Sequence, residues 1–138
     1  MKATELRMND WVLVDGEPMK IAETDLTYFS AWKKDGTFCG KIGYEAAEPI
    51  ALTGEIFEKA DWDTLSDDKD SYFAIFDFNE ESEIEVSVDT FAKESEWEVA
   101  VCNRYGEDVI SHYLRHIKYV HELQHLLWAL GVEKEVEV

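Results

Sequence analysis

The sharpest chemical spacing in this chain of 138 residues is His121-Glu122-Leu123-Gln124-His125. Histidines at i and i+4 share one face of a helix. In the H-E-x-x-H arrangement of zinc hydrolases they hold the metal, while the glutamate polarises the attacking water. His121 and His125 are therefore candidate zinc ligands, with Glu122 as candidate base. The rest of such a site is not legible. The metzincin continuation needs Gly at 128 and His at 131, where the chain has Trp128 and Gly131. Only 13 residues follow His125, too few for a second helix carrying a distant glutamate ligand. His112 or His116 would have to complete the set. At 100° per residue both motif histidines fall opposite the centre of a leucine arc, which predicts an ordinary solvated face.

A second group of residues is acidic. Glu83, Glu85 and Asp89 alternate with Ile84, Val86 and Val88, and Glu96 and Glu98 alternate with Trp97 and Val99. Period two places such carboxylates together on the wet side of a sheet whose other side is buried. Like charges opposed across strands are mildly destabilising. A sheet needing only solubility usually mixes in lysines, yet Lys93 is the single lysine from 71 to 103. Two readings follow: a solvated face, or a face that meets a basic protein surface, its carboxylates standing in for phosphates as in DNA mimics. The candidate partner-binding residues are Glu83, Glu85, Asp89, Glu96 and Glu98.

Other chemistry is poorly supported. The loop holding Asp61, Asp63, Asp67, Asp68 and Asp70 fails the EF-hand pattern, because Phe73 stands where Gly belongs if it starts at Asp68, and Leu65 takes a ligand position if it starts at Asp63. Glycine-rich phosphate loops are absent, and no nucleophile–base arrangement is legible. No cofactor is expected. Cys39 and Cys102 lie 63 positions apart in no CxxC pair, and read as free thiols of a reducing compartment. Trp11, Tyr28 and Trp32 could serve a ligand of the N-terminal barrel, but small barrels need aromatics in their core, and these three read as core.

Composition bounds the partners. Thirty-one acids against 13 bases leave a net charge of −18, which repels nucleic acid and anionic membranes. The excess is uneven: residues 67–111 hold 14 acids and 3 bases, the flanks far less. No apolar run reaches the roughly 18 residues that span a bilayer. Met1 to Glu5 turns polar at once, so no signal peptide is read, and the expected location is cytoplasmic.

The elements that must position these residues read as one α+β domain, 1–138, with a curled β subdomain over 1–50 and the remainder over 51–138. Trp11–Val14, Met19–Ala22, Tyr28–Trp32 and Phe38–Tyr44 are short strands separated by Asp15-Gly16 and Asp35-Gly36 turns, as in a small curled sheet or SH3-like barrel. Thr53 is placed to cap a helix over 54–60 with its hydroxyl. Tyr72–Phe78 and the two alternating segments make an antiparallel meander, with a last strand over 109–114. The main helix spans 117–130, packs its leucines on a sheet and ends at Gly131. The tail, 132–138, is a frayed end or an edge strand. Leu123, Leu127, Leu130, Val86, Val99 and Trp97 are expected to be buried.

Three stretches carry a family likeness: Glu5-Leu6-Arg7-Met8-Asn9-Asp10-Trp11-Val12, Pro49-Ile50-Ala51-Leu52-Thr53-Gly54-Glu55-Ile56, and Lys118-Tyr119-Val120-His121-Glu122-Leu123-Gln124-His125-Leu126-Leu127-Trp128-Ala129-Leu130. Together they resemble a family of uncharacterised proteins of gut Bacteroidetes and their phages and prophages, with an L-R-x-G-N-x-V opening, an I-P-L-T-E-E segment and a K-Y-V-H-x-L-Q-N-L-Y-x-A-L helix. The likeness implies no activity. The family's usual helix has Gln at the position of Glu122 and Asn at that of His125, so on this comparison the zinc-like spacing arises here by drift. Met8 likewise replaces the family's Gly. Two functions stand: a non-catalytic phage or prophage binding protein, and a zinc-dependent hydrolase.

Overall fold

The structure, a computed structural model, describes residues 1–64, 70–77, 81–90, 96–105 and 108–138, with backbone alone for 105 and 108–114. The fold is α+β, mostly antiparallel sheet with two α-helices. The chain divides into two compact units, 1–51 with 119–138, and 52–118. The C-terminal helix thus groups with the N-terminal sheet.

The first unit holds β1 (Trp11–Val14), β2 (Glu17–Thr24), β3 (Tyr28–Lys33), β4 (Phe38–Gly43) and β5 (Ala47–Pro49). They form an open five-stranded sheet in the order β4-β3-β2-β1-β5. Val14 pairs with Glu17, so Asp15 and Gly16 alone make the β1–β2 turn, both with positive φ (51° and 79°). That is the primed hairpin turn, whose twist matches the strands it joins. One face buries Val12, Val14, Met19, Ile21, Phe29 and Ala31, with Tyr44 tilted against Phe29 at 5.3 Å between ring centroids. Trp11 is buried, but Tyr28 and Trp32, expected in the core, are exposed on β3.

Helix α2 (Val120–Ala129) lies against β1 and buries Val120, Leu123, Leu126 and Leu127. It starts three residues later than the periodicity predicts, because the preceding strand runs further. It ends in a Schellman motif: Val132 N–H donates to the Leu127 carbonyl at 2.9 Å and Gly131 N–H to that of Trp128 at 3.0 Å, with Gly131 at φ 81°. Leu130, expected in the core, is the cap residue and only half-buried. The tail is neither frayed nor a strand. Gln124, fully buried, donates to the Lys134 carbonyl at 2.9 Å and accepts from Val136 N–H at 2.6 Å, and Val132 and Val136 are buried.

The second unit holds α1 (Gly54–Lys59), β6 (Asp63–Thr64), β7 (Ser71–Asp77), β8 (Ser82–Asp89), β9 (Trp97–Tyr105) and β10 (Asp108–Ile117). The strands form an antiparallel sheet in the order β10-β9-β8-β7-β6. The expected last strand grows to ten residues, with a register shift between Tyr113 and Arg115 that lets it continue along β9. Phe57 packs against Trp62, Tyr72 and Trp97 with centroids 5.0, 5.2 and 4.9 Å apart. Trp97 Nε1 donates to the Leu52 carbonyl at 3.2 Å. Thr53 stands at the cap position of α1, but its hydroxyl makes no capping bond. A Cβ on Gly54 would lie 2.7 Å from the Tyr72 hydroxyl, so a larger residue there would have to displace that side chain. Phe78, Asp67, Asp68, Leu65 and Lys93 lie outside the described residues.

Candidate functional site

Both groups singled out by the sequence take definite places, one in each unit. The histidine motif forms the first two turns of α2. Glu122 is the third helical residue, and its carboxylate accepts the Tyr119 N–H at 3.2 Å. The residue at the zinc-base position thus closes its own helix end, the return half of a capping box. His125 reaches across to the start of β1, where its Nε2 lies 2.7 Å from Asp10 Oδ2. Asp10 is completely buried and also accepts the Arg7 N–H at 2.7 Å on the same oxygen. A carboxylate can only accept, so Nε2 of His125 carries the proton. The ring is thereby committed to a protein partner through the nitrogen that most often meets a metal.

His121 sits one turn earlier, its ring centroid 5.7 Å from that of His125 and 5.8 Å from that of Tyr119, with which it stacks at 9°. Only 7% of it is exposed, and its Nδ1 has no hydrogen-bond partner. Burial is the largest influence on its pKa and pushes it below the ordinary 6.5, outweighing the upward pull of the Asp10, Glu122 and Glu5 carboxylates. His121 is therefore a neutral imidazole at pH 7.

The solvated-face expectation for the two histidines is corrected by this geometry. A helical wheel anchored on the leucines sees one partner only. Here the segment leading into β1 and the returning tail cover other sides of α2. Among the described residues no three His, Cys, Asp or Glu side chains converge to hold a metal ion, so the chelating set that the spacing evokes is not assembled. The side chain of His112 lies outside the described residues, and His116 stands on β10 in the other unit.

The acidic group lies on the meander. Register puts Glu83 opposite Arg104, Glu85 opposite Cys102 and Asp89 opposite Glu98. On the other side Glu83 faces Asp77, Glu85 faces Ile75 and Asp89 faces Ser71. Directly opposed residues share a face, so four of the five expected carboxylates do lie together, joined by Asp77. Glu96 precedes β9 and pairs with Lys118 at 3.1 Å. The opposite face buries Tyr72, Val86, Val88, Val99 and Val101.

The face is less bare than composition implies. Arg104 reaches Glu83 at 3.2 Å and Glu85 at 3.6 Å, and the Ser71 hydroxyl donates to Asp89 at 2.7 Å. Two like-charged oppositions remain, Asp77 with Glu83 and Asp89 with Glu98. Between them Ile75 is 44% exposed. Sequence reading missed Arg104, one position beyond the lysine-poor window, and Asp77, which ends a strand read as apolar. It also missed Asp10, whose only signal is a carboxylate directly before an apolar strand.

No family model, no curated protein and no solved structure matches this chain. Among the described residues, no helix is long and apolar enough to cross a membrane.

Proposed function

We propose that the chain is a non-catalytic protein-binding module that meets a basic surface with the acidic face of its second sheet. The observation that carries this reading is Ile75, exposed on a sheet face between the Asp77–Glu83 and Asp89–Glu98 oppositions. Single exposed apolar residues are ordinary on protein surfaces, but this one stands within a face of carboxylates. That arrangement is the usual build of a protein contact, in which an apolar centre contributes affinity while surrounding charge sets orientation and encounter rate. The partner is a protein rich in Lys and Arg, such as a nucleic-acid-binding enzyme whose phosphate-binding groove the carboxylates can occupy. The resemblance of both chain ends to phage and prophage proteins of gut Bacteroidetes supports a setting inside a bacterial cytoplasm. Zinc hydrolysis is the weaker reading, because Glu122 caps its helix and His125 is engaged by Asp10.

The test compares the native chain with two variants as bait in a lysate of a gut Bacteroidetes species. One carries Glu85→Gln, Asp89→Asn and Glu98→Gln; the other carries Ile75→Ser. A partner of high isoelectric point, held at low salt and released as salt rises, is expected with the native chain and lost with both variants. Equal capture by all three baits removes the proposal.

A further inference from the structure

The outer face of the first sheet is covered over only part of its width. Register sets Trp11, Lys20, Trp32 and Phe38 opposite one another from β1 to β4, so the four share one face. Trp11, on the strand against which α2 lies, is buried. Lys20 pairs with Glu135 of the tail. Beyond Lys20 the rings stand open: Trp32 is 45% exposed and Phe38 52%, their centroids 4.8 Å apart. Tyr28, four positions before Trp32 on β3 and so on the same side, is 49% exposed. We infer that this aromatic face is a contact between two copies of the chain, related by a two-fold axis.

Three observations support this. The first is size. Exposed apolar patches of several hundred Å² mark contacts, where a lone apolar residue does not. An aromatic side chain offers roughly 150–250 Å², so three that are about half exposed present on the order of 300 Å². A standard interface takes about 800 Å² from each partner, a little over half of it apolar. The three rings supply the larger part of that apolar share.

The second is charge. Residues 17–43, from the start of β2 to the end of β4, hold four acids and four bases. The remaining 111 residues hold 27 acids and 9 bases, and carry the whole net charge of −18. Two copies repel each other over those residues but meet without net repulsion through β2–β4. A polyanion gains nothing from a face of balanced charge, and a basic partner is drawn to the carboxylates of the second unit. The balance suits a partner of like charge, which a second copy is by definition.

The third is the sheet edge. β4 ends the sheet, and an open edge is a common route to pairing between chains. Here Gly40 and Lys41 together oppose Ser30 alone, and Lys41 takes φ 54°. Such a bulge bends an edge away from an incoming strand. With strand addition hindered, two copies meet face to face, the isologous arrangement in which each Trp32 packs on the other copy's patch.

The experiment is sedimentation equilibrium of the full chain over roughly 5–500 µM, where a monomer–dimer equilibrium with a Kd on the order of 10–100 µM is expected. Raising the salt screens the repulsion between two chains of −18 each, so the dimer is expected to tighten several-fold. That sign is opposite to the salt release expected of a basic partner on the acidic face. The double variant Trp32→Ser with Phe38→Ser is expected to weaken the dimer about tenfold or more, as loss of central aromatic anchors does. Circular dichroism checks its fold, and Phe38→Lys alone, at an exposed position, keeps the test open if the double variant unfolds. A monomer over the whole range overturns the inference. So does a dimer that is unchanged in the variants or that dissociates as salt rises. A monomer retained on immobilised single-stranded DNA would assign the rings to base stacking, and overturns it too. Ile75→Ser is expected to leave the dimer intact; its loss there would move the contact to the second sheet. The two faces lie in different units, so this inference and the protein-binding proposal can each fail alone.

Discussion

At the scale of single residues, the most consequential contact is Asp10 with His125, made by side chains 115 positions apart. Removing one partner of a buried polar pair is costly because the other is left behind without its counterpart. His125→Ala leaves a carboxylate with no exposure at all, and is expected to lose about 3 kcal/mol in urea unfolding. Asp10→Ala should also destabilise, and the double variant should cost less than the two losses added. Strict additivity would show that the pair is not coupled. His121 gives a second expectation, with a definite sign. Its pKa is lower folded than unfolded, so below 6.5 the unfolded chain takes up the proton first. Its contribution to stability is intact above that pH and is lost as pH falls through the depressed folded value. His121→Phe is expected to flatten this stretch of the stability–pH curve; an unchanged slope would place the titration elsewhere. Sequence alone located His121 and His125 but not their surroundings, since a helical wheel carries no information about a chain segment arriving from the other terminus.

At the scale of elements, strict alternation was a reliable guide. Ile84–Asp89 and Glu96–Val101 show period two, and the structure places Val86, Val88, Trp97, Val99 and Val101 in the core. Turn chemistry was equally legible at Asp15-Gly16. The ends of the last strand and main helix were not, because Arg115 and His116 continue a strand that no alternation of apolar residues advertises. The tail was misjudged for a related reason: Gln124 reads as a polar surface position, yet its amide holds two backbone groups of residues 134 and 136. The Asp89–Glu98 opposition supplies the element-scale prediction. Neutralising one member removes a cross-strand repulsion worth a few tenths of a kcal/mol, so Glu98→Gln is expected to raise stability by about 0.3 kcal/mol, more at low salt than at high. A loss of stability would mean that Glu98 has a structural role of its own.

At the scale of the whole molecule, the decisive fact is that α2 completes the first unit from the far end of the chain. Residues 132–138 are held by the buried Gln124 and by the ion pair of Lys20 with Glu135. Their deletion is expected to lower hydrogen-exchange protection across β1–β5 and α2 while leaving β7–β9 nearly unchanged. Uniform loss in both sheets would contradict the division at 51 and 119. No composition shift announces that division, since the chain crosses it without a proline- or glycine-rich linker. The crossing is marked instead by pairing: Ala51 and Tyr119 form an antiparallel bridge, Leu52 N–H donates to the Lys118 carbonyl at 2.9 Å, and Val120 N–H to that of Ile50 at 2.9 Å. A strand pair of this kind is a stem, and the 67 residues from 52 to 118 are what it carries. During synthesis the first unit must wait for its final twenty residues, 119–138, so the second unit, whose residues are contiguous, leaves the ribosome whole while the first is still open. For an engineer the same stem is a socket: a two-residue turn joining Ala51 to Tyr119 would close it, and a different cargo could be grafted in its place.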